Sequence, residues 1–133
     1  MVKEKKIILL GKSEAAILKD LEKLGLSPDN LLWKSAENGF VVGVKIALER
    51  EADVHAYNDN ALIWASNNGH TEAVKILLEA GADVHADNDL ALRWASEEGH
   101  VEVVKVLLDA GANVHANNGQ ALKWASENEI NLK

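Results

Sequence analysis

Residues 86–115 read ADNDLALRWASEEGHVEVVKVLLDAGANVH, and the thirty residues before them, 56–85, read AYNDNALIWASNNGHTEAVKILLEAGADVH. Laid side by side without a gap, the two agree at 20 of 30 positions. A fixed period of this size marks a stack of repeated units, each too thin to bury its own apolar side. Each copy holds two amphipathic segments. In the second copy Asn88 or Asp89 can cap a first helix whose apolar side is Leu92, Trp94 and Ala95, and Gly99 ends it in a position suited to a left-handed residue. A second helix over 101–110 carries Val103, Val104, Leu107 and Leu108 on one side and Glu102, Lys105 and Asp109 on the other. Gly111 stops it, and Ala112-Asn113-Val114-His115 reads as an extended connector.

The Gly99-His100 turn, the Val-Val-Lys-x-Leu-Leu helix and the Gly-Ala-Asp/Asn-Val connector resemble an ankyrin repeat. That resemblance implies an all-α solenoid of stacked helix-turn-helix pairs with short β-turn-like connector loops. Two departures stand out. The family's unit has 33 residues, and three are missing here between connector and first helix. Its Thr-Pro-Leu-His opening is replaced by Leu90-Ala91-Leu92-Arg93, followed by Trp94. Blunter finger loops and an aromatic row in the core, Trp64, Trp94 and Trp124, are therefore expected.

The rest of the chain fits one array. Residues 1–25 have the layout of an N-terminal capping pair: a first helix over 2–10, where Ile7 to Leu10 can also be read as a short strand, then a helix over 14–24 closed by Gly25. Repeats over 26–55, 56–85 and 86–115 follow, and 116–133 form a C-terminal half repeat. The unit at 26–55 opens on Ser27-Pro28, a cap followed by a proline whose missing N–H costs nothing at the first helical position. It diverges afterwards: Lys34 stands in the register of Trp64, Trp33 in that of Ile63 and Arg93, and Glu51 in that of a stopping glycine. Trp33 is either core under a rewound turn or an aromatic on the binding face. Glu129 replaces a turn glycine, so the last helix is expected to continue through Ile130 and Leu132, which could fold over the end of the stack.

Charge narrows the partner. The net charge is −7 in 133 residues. Residues 1–25 hold six Lys and four acids (+2), leaving eight basic and seventeen acidic residues (−9) for the remainder. An acidic body disfavours nucleic acid, whose affinity rests on cations neutralising phosphates. A partner chosen by charge is a protein with a basic surface; alternatively the charge only keeps the array in solution. The chain has no cysteine, which excludes disulfides and thiolate metal sites. The N-terminal apolar run is too short for a signal peptide, and no run approaches a membrane span. A cytoplasmic monomer is expected, with end-to-end pairing as the alternative.

Three residue rows invite chemistry and do not support it. His55, His85 and His115 recur every thirty residues, but stacked helix pairs lie about 10 Å apart while zinc needs its ligands at about 2 Å. No metal or cofactor is expected; these rings should bond connector backbone and neighbouring loops. His70 and His100 should bond across their own turn. Ser66, Ser96 and Ser126 lack a base and an orienting acid and are repeated where a nucleophile would be unique, so they read as small residues for close helix packing. An enzyme is not expected.

The two matched copies differ abruptly at Tyr57/Asp87, Asn60/Leu90, Ile63/Arg93, Asn67/Glu97 and Asn68/Glu98. All lie on the loop or the first helix, the regions that the ankyrin resemblance implies line a concave protein-binding groove. The candidate partner-binding residues are Trp33, Tyr57, Asp59, Asn60, Asn67, Asn68, Asp89, Leu90, Arg93, Glu97, Glu98, Gln120 and Lys123. Glu97, Glu98 and Glu127 together would make an acidic patch. The short unit is also similar to ankyrin arrays of large DNA viruses and some bacteria, which implies a non-catalytic module that blocks or recruits a host factor. The competing expectation is a structural scaffold: a fragment of a longer array or an engineered stack.

Overall fold

The computed structural model describes residues 23–130 together with Ala16, Lys19 and Asp20. The expectations for residues 2–15 and for Leu132 lie outside the described residues. Ala16, Lys19, Asp20 and Lys23 are helical, and Gly25 turns the chain at φ 66. Among the described residues seven helices follow, and no strand: α1 (Pro28–Glu37), α2 (Val41–Glu49), α3 (Ala56–Asn67), α4 (Thr71–Glu79), α5 (Ala86–Glu97), α6 (Val101–Asp109) and α7 (Ala116–Glu127).

The odd-numbered helices pack side by side in chain order, as do α2, α4 and α6, and each odd helix packs on the even helix that follows it. Two layers result, with α7 alone at the far end. What joins them is apolar and periodic. Leu32, Leu62 and Leu92 of the inner layer are at most 1% exposed, and Val44, Val74 and Val104 of the outer layer are fully buried. Truncating such a leucine costs about 2–5 kcal/mol, which is why the thirty-residue period is so strictly held here.

The divergent unit keeps its volume by a compensating exchange. Ser35 and Gly43 stand where the next unit has Ala65 and Ala73, and the one after has Ala95 and Val103. A Cβ on Gly43 would run into the Ser35 hydroxyl. The glycine that weakens α2 by propensity is thus the partner of a larger side chain on α1. Ser27 caps α1 as expected, its Oγ accepting from the Asn30 N–H at 3.2 Å with Pro28 at the first helical position.

The loops depart from expectation. Tyr57-Asn58-Asp59, Asp87-Asn88-Asp89 and Asn117-Asn118-Gly119 each form one left-handed turn, with φ between 54 and 74. Right-handed helix begins only at Asn60, Leu90 and Gln120. Asn, Asp and Gly tolerate this region best. The connector is not extended either: the N–H groups of Ala56, Ala86 and Ala116 donate to the carbonyls of Asp53, Asp83 and Asn113 at 2.9–3.1 Å, closing a turn each time.

Asp59 and Asp89 therefore do not cap helices. Asp89 Oδ2 accepts the N–H of Asn113 at 2.8 Å and Asp59 Oδ1 that of Asp83 at 2.9 Å, tying each loop to the next connector. The same carboxylates accept Nδ1–H of His85 and His55 at 3.0–3.2 Å. The histidine row thus bonds acids within its own loops, not its neighbours. His115 meets Gly119 in that register. His70 and His100 also reach further than expected: each Nε2–H donates at 3.0 Å to the preceding unit, to the carbonyls of Glu37 and Asn67.

At the far end Glu129 adopts φ 57, the left-handed turn that Gly39, Gly69 and Gly99 make elsewhere. The helix stops at Glu127 instead of running on through Ile130, because the turn geometry is set by packing and the glutamate is forced into it. Glu51 behaves alike, at φ 64.

Candidate protein-binding face

Along the inner helices the buried positions recur as i, i+1, i+4, i+5: Leu31, Leu32, Ser35, Ala36 in α1 and Ala91, Leu92, Ala95, Ser96 in α5. The opposite side of a 3.6-residue helix then holds positions 30, 33, 34 and 37 and their counterparts one, two and three units on. All of these positions except Ile63, which is 5% exposed, are at least partly exposed, and they make four rows along the stack. They read Asn30-Asn60-Leu90-Gln120, Trp33-Ile63-Arg93-Lys123, Lys34-Trp64-Trp94-Trp124 and Glu37-Asn67-Glu97-Glu127.

The tryptophan row is where the sequence reading needs correction. Trp64, Trp94 and Trp124 are half-buried, not core. Trp64 and Trp94 meet edge to face, ring centroids 5.4 Å apart and planes at 67°. A ring at i+3 from a fully buried residue sits on the shoulder of the helix: it seals the gutter between neighbouring helices and leaves part of itself on the open side. The helical period places Trp64 on that shoulder, but three identical large aromatics at repeat spacing had suggested interior. Trp33 is half-buried too, its Nε1 shut from solvent without a partner and Lys34 Nζ 4.6 Å from its ring centre. Helix α1 is regular through it, so no rewound turn brings it into the register of Trp64.

The other candidate residues divide into two groups. Asp59 and Asp89 are each 4% exposed and their carboxylates are engaged inside the array. Arg93 is folded back, Nε–H and Nη2–H donating to the carbonyls of Asn88 and Asp87 at 3.0 and 3.1 Å, where it braces the left-handed turn. Ile63, the other member of that contrasted pair, is 5% exposed. Leu90 is half-buried against the core. These side chains build the face more than they offer themselves on it.

Asn67 and Asn60 are partly exposed, and Asn68, Glu97, Glu98 and Lys123 are exposed. Asn68 Nδ2–H donates to the Glu37 carbonyl at 3.0 Å. Gln120 Nε2–H donates to Glu97 Oε2 at 3.3 Å, a link between successive units on the face itself. Tyr57 is 61% exposed at the loop edge, its hydroxyl donating to Asn30 Oδ1 at 2.8 Å.

Electrostatics differ between the two ends of the inner helices. All four C-termini point to one rim, each bringing the negative end of its dipole. Glu37, Glu97, Glu98 and Glu127 sit at that rim, and α3, α5 and α7 have no basic residue in the last turn. Among the described residues no group of three His, Asp or Glu side chains could hold a metal. Ser66 and Ser96 are fully buried; Ser96 Oγ–H donates to the Leu92 carbonyl at 2.8 Å. Among the described residues no helix is long and apolar enough to cross a membrane.

Comparison with known proteins agrees with this architecture. The family model described as ankyrin repeats (3 copies) matches residues 6–88, and the ankyrin repeat model matches residues 87–119. No curated protein matches the chain. Repeats of this kind are generally protein–protein interaction modules, typically without catalysis of their own. The two matches together span most of the chain, and it belongs to the ankyrin repeat family.

Proposed function

We propose that this chain is a non-catalytic protein-binding module whose partner lies across the open face of the inner helices and the adjoining loop tips, occupying or recruiting that partner. One observation carries the reading: tryptophans 64, 94 and 124 lie half-buried on a partly exposed face, next to exposed polar side chains that differ between units. Large rigid rings already fixed by packing lose little freedom on binding, and tryptophan is among the residue types that dominate interfaces. Of the candidate residues, Asn60, Asn67, Asn68, Glu97, Glu98, Gln120, Lys123, Trp33 and Tyr57 remain in this proposal.

A photo-crosslinking residue at Lys123 on the inner layer, compared with one at Lys75 on the outer layer, tests it. Both positions are exposed. Crosslinks to a discrete partner from position 123 alone support the face; equal or exclusive crosslinking from position 75 removes it.

A structural stack is the second reading. Leu122 is 38% exposed where Leu62 and Leu92 are fully buried, so the side of α7 offers an apolar surface suited to another repeat. Light scattering over a range of concentrations decides whether copies join there.

A further inference from the structure

We infer that the face takes an extended protein segment carrying arginine or lysine at about every third residue, its cationic heads lying between the tryptophan row and the glutamate rim; this rests on the binding reading above. Three observations converge on that chemistry.

The first is charge placed against local stability. Carboxylates at a helix C-terminus oppose the dipole, where Lys or Arg would be favoured. Glu97 ends α5 and Glu98 caps it, Glu127 ends α7, and no basic residue in the last turn of either helix offsets them. Glu129 adds a further carboxylate in a left-handed conformation that glycine would occupy without strain. Local rules broken together on one rim mark where a chain answers to something other than its own folding.

The second is the state of the face's own cations. Arg93 is held by the carbonyls of Asp87 and Asn88, and Lys34 lies over the Trp33 ring. Among the described residues neither of these, nor the exposed Lys123, is ion-paired to the glutamates, and only the neutral Gln120 bonds one of them, Glu97; the Lys34 contact shows a cation already accepted on a ring of this face. Guanidinium and ammonium groups favour indole faces, and favour them more when a carboxylate stands nearby.

The third is spacing. Neighbouring inner helices lie about 8–10 Å apart, the usual helix separation, although the Trp64 and Trp94 rings lean together to 5.4 Å between centroids. The Trp–Glu pair occurs on two of these helices, as Trp94 with Glu97 and Trp124 with Glu127. An extended or polyproline segment advances about 9–10 Å in three residues. Every third side chain of such a segment therefore meets the rim position of the next helix, a carboxylate at Glu97 and Glu127 and an amide at Asn67. A helix places cations of one face at about 5–6 Å, out of step with the repeat.

Fluorescein-labelled peptides of about 12 residues, with the same composition but different order, test this in the full chain. One carries arginine at every third position among Gly, Ser and Pro; another carries the same arginines in one block; a third has glutamate for arginine. At physiological ionic strength, fluorescence anisotropy should give saturable binding of the first, with a change in tryptophan emission. The block peptide should bind about tenfold more weakly, the acidic one not at all. The triple variant Glu97→Gln, Glu98→Gln, Glu127→Gln should lose about tenfold in affinity for the spaced peptide, with unchanged far-UV circular dichroism and urea midpoint no lower than the parent's. Equal affinity for spaced and block peptides overturns the inference, as do affinity unmoved by the triple variant and absence of binding by the spaced peptide. If crosslinking from position 123 still recovers a partner in those cases, the face stands and only its chemistry is wrong; if it does not, both fall.

Discussion

Asp89 and Asn113 tie the two ends of the unit 86–115 by a bond between a buried carboxylate and a backbone amide, 24 residues apart in sequence and 2.8 Å in space. The same carboxylate accepts from the His85 ring at 3.1 Å; its removal takes the acceptor from the Asn113 amide, while the exposed His85 ring can turn to water. We expect Asp89→Ala to destabilise the array by about 2–3 kcal/mol, the scale of losing a charged acceptor at a buried site. Asp29→Ala, whose bond to the Asp53 N–H is exposed, should cost about 1 kcal/mol or less. Urea unfolding of the two variants checks this; equal midpoints would mean that the buried carboxylate adds nothing.

Ser35 and Gly43 should behave as a coupled pair. Gly43→Ala alone gains helix propensity of about 1 kcal/mol but forces its methyl into the Ser35 hydroxyl, and the net effect should be destabilising. Adding Ser35→Ala recreates the Ala65–Ala73 pairing of the next unit and should restore or exceed parental stability. A double-mutant cycle should give a coupling of about 1–2 kcal/mol; additive effects would refute the volume exchange.

Two glutamates occupy backbone that suits glycine. Glu51 at φ 64 and Glu129 at φ 57 each carry a left-handed cost of about 1 kcal/mol. Glu51→Gly should raise stability by somewhat less than that, because the unfolded chain gains freedom with the added glycine. Thermal unfolding measures it. A fall in Tm would show that the Glu51 side chain contributes more than its backbone costs.

Gly69 and Gly99 share a conformation but not an environment. A Cβ on Gly69 would lie 2.7 Å from Nδ1 of His100, whereas nothing stands within 4 Å of one on Gly99. Gly99→Ala should therefore cost about 1 kcal/mol from its positive φ alone. Gly69→Ala should cost about 2 kcal/mol or more, since it also displaces the ring that bonds the Asn67 carbonyl. The difference between the two midpoints, not either alone, reports the histidine's seat.

The stack was legible in sequence because burial repeats with the letters. Leu32, Leu62 and Leu92, and Val44, Val74 and Val104, are apolar at fixed spacing and buried at fixed spacing. The loops were not legible in the same way. Asn, Asp and Gly signal a turn, but they do not say that three consecutive residues take one left-handed sense, and Tyr57 takes it as well as Asn117 does. Trp64 and Trp94 were misplaced for a related reason. Hydrophobicity and period say that a ring packs, while its residual exposure depends on lying at the shoulder of the helix. Arg93 read as a contact residue because it contrasts with Ile63, and only the coordinates reveal that it braces its own loop.

The bonds run at constant offsets: within a unit, 24 residues from Asp59 to Asp83 and from Asp89 to Asn113; between units, 33 from Glu37 to His70 and from Asn67 to His100. Every internal unit thus offers the same plug on one side and the same socket on the other. A duplicate of residues 86–115 spliced in after His115 would bring its own Asp–Asn bond and find, 33 residues back, a carbonyl for its imidazole. The molecule could then be lengthened one tooth at a time, like a rack, with its tryptophan edge growing by the same increment.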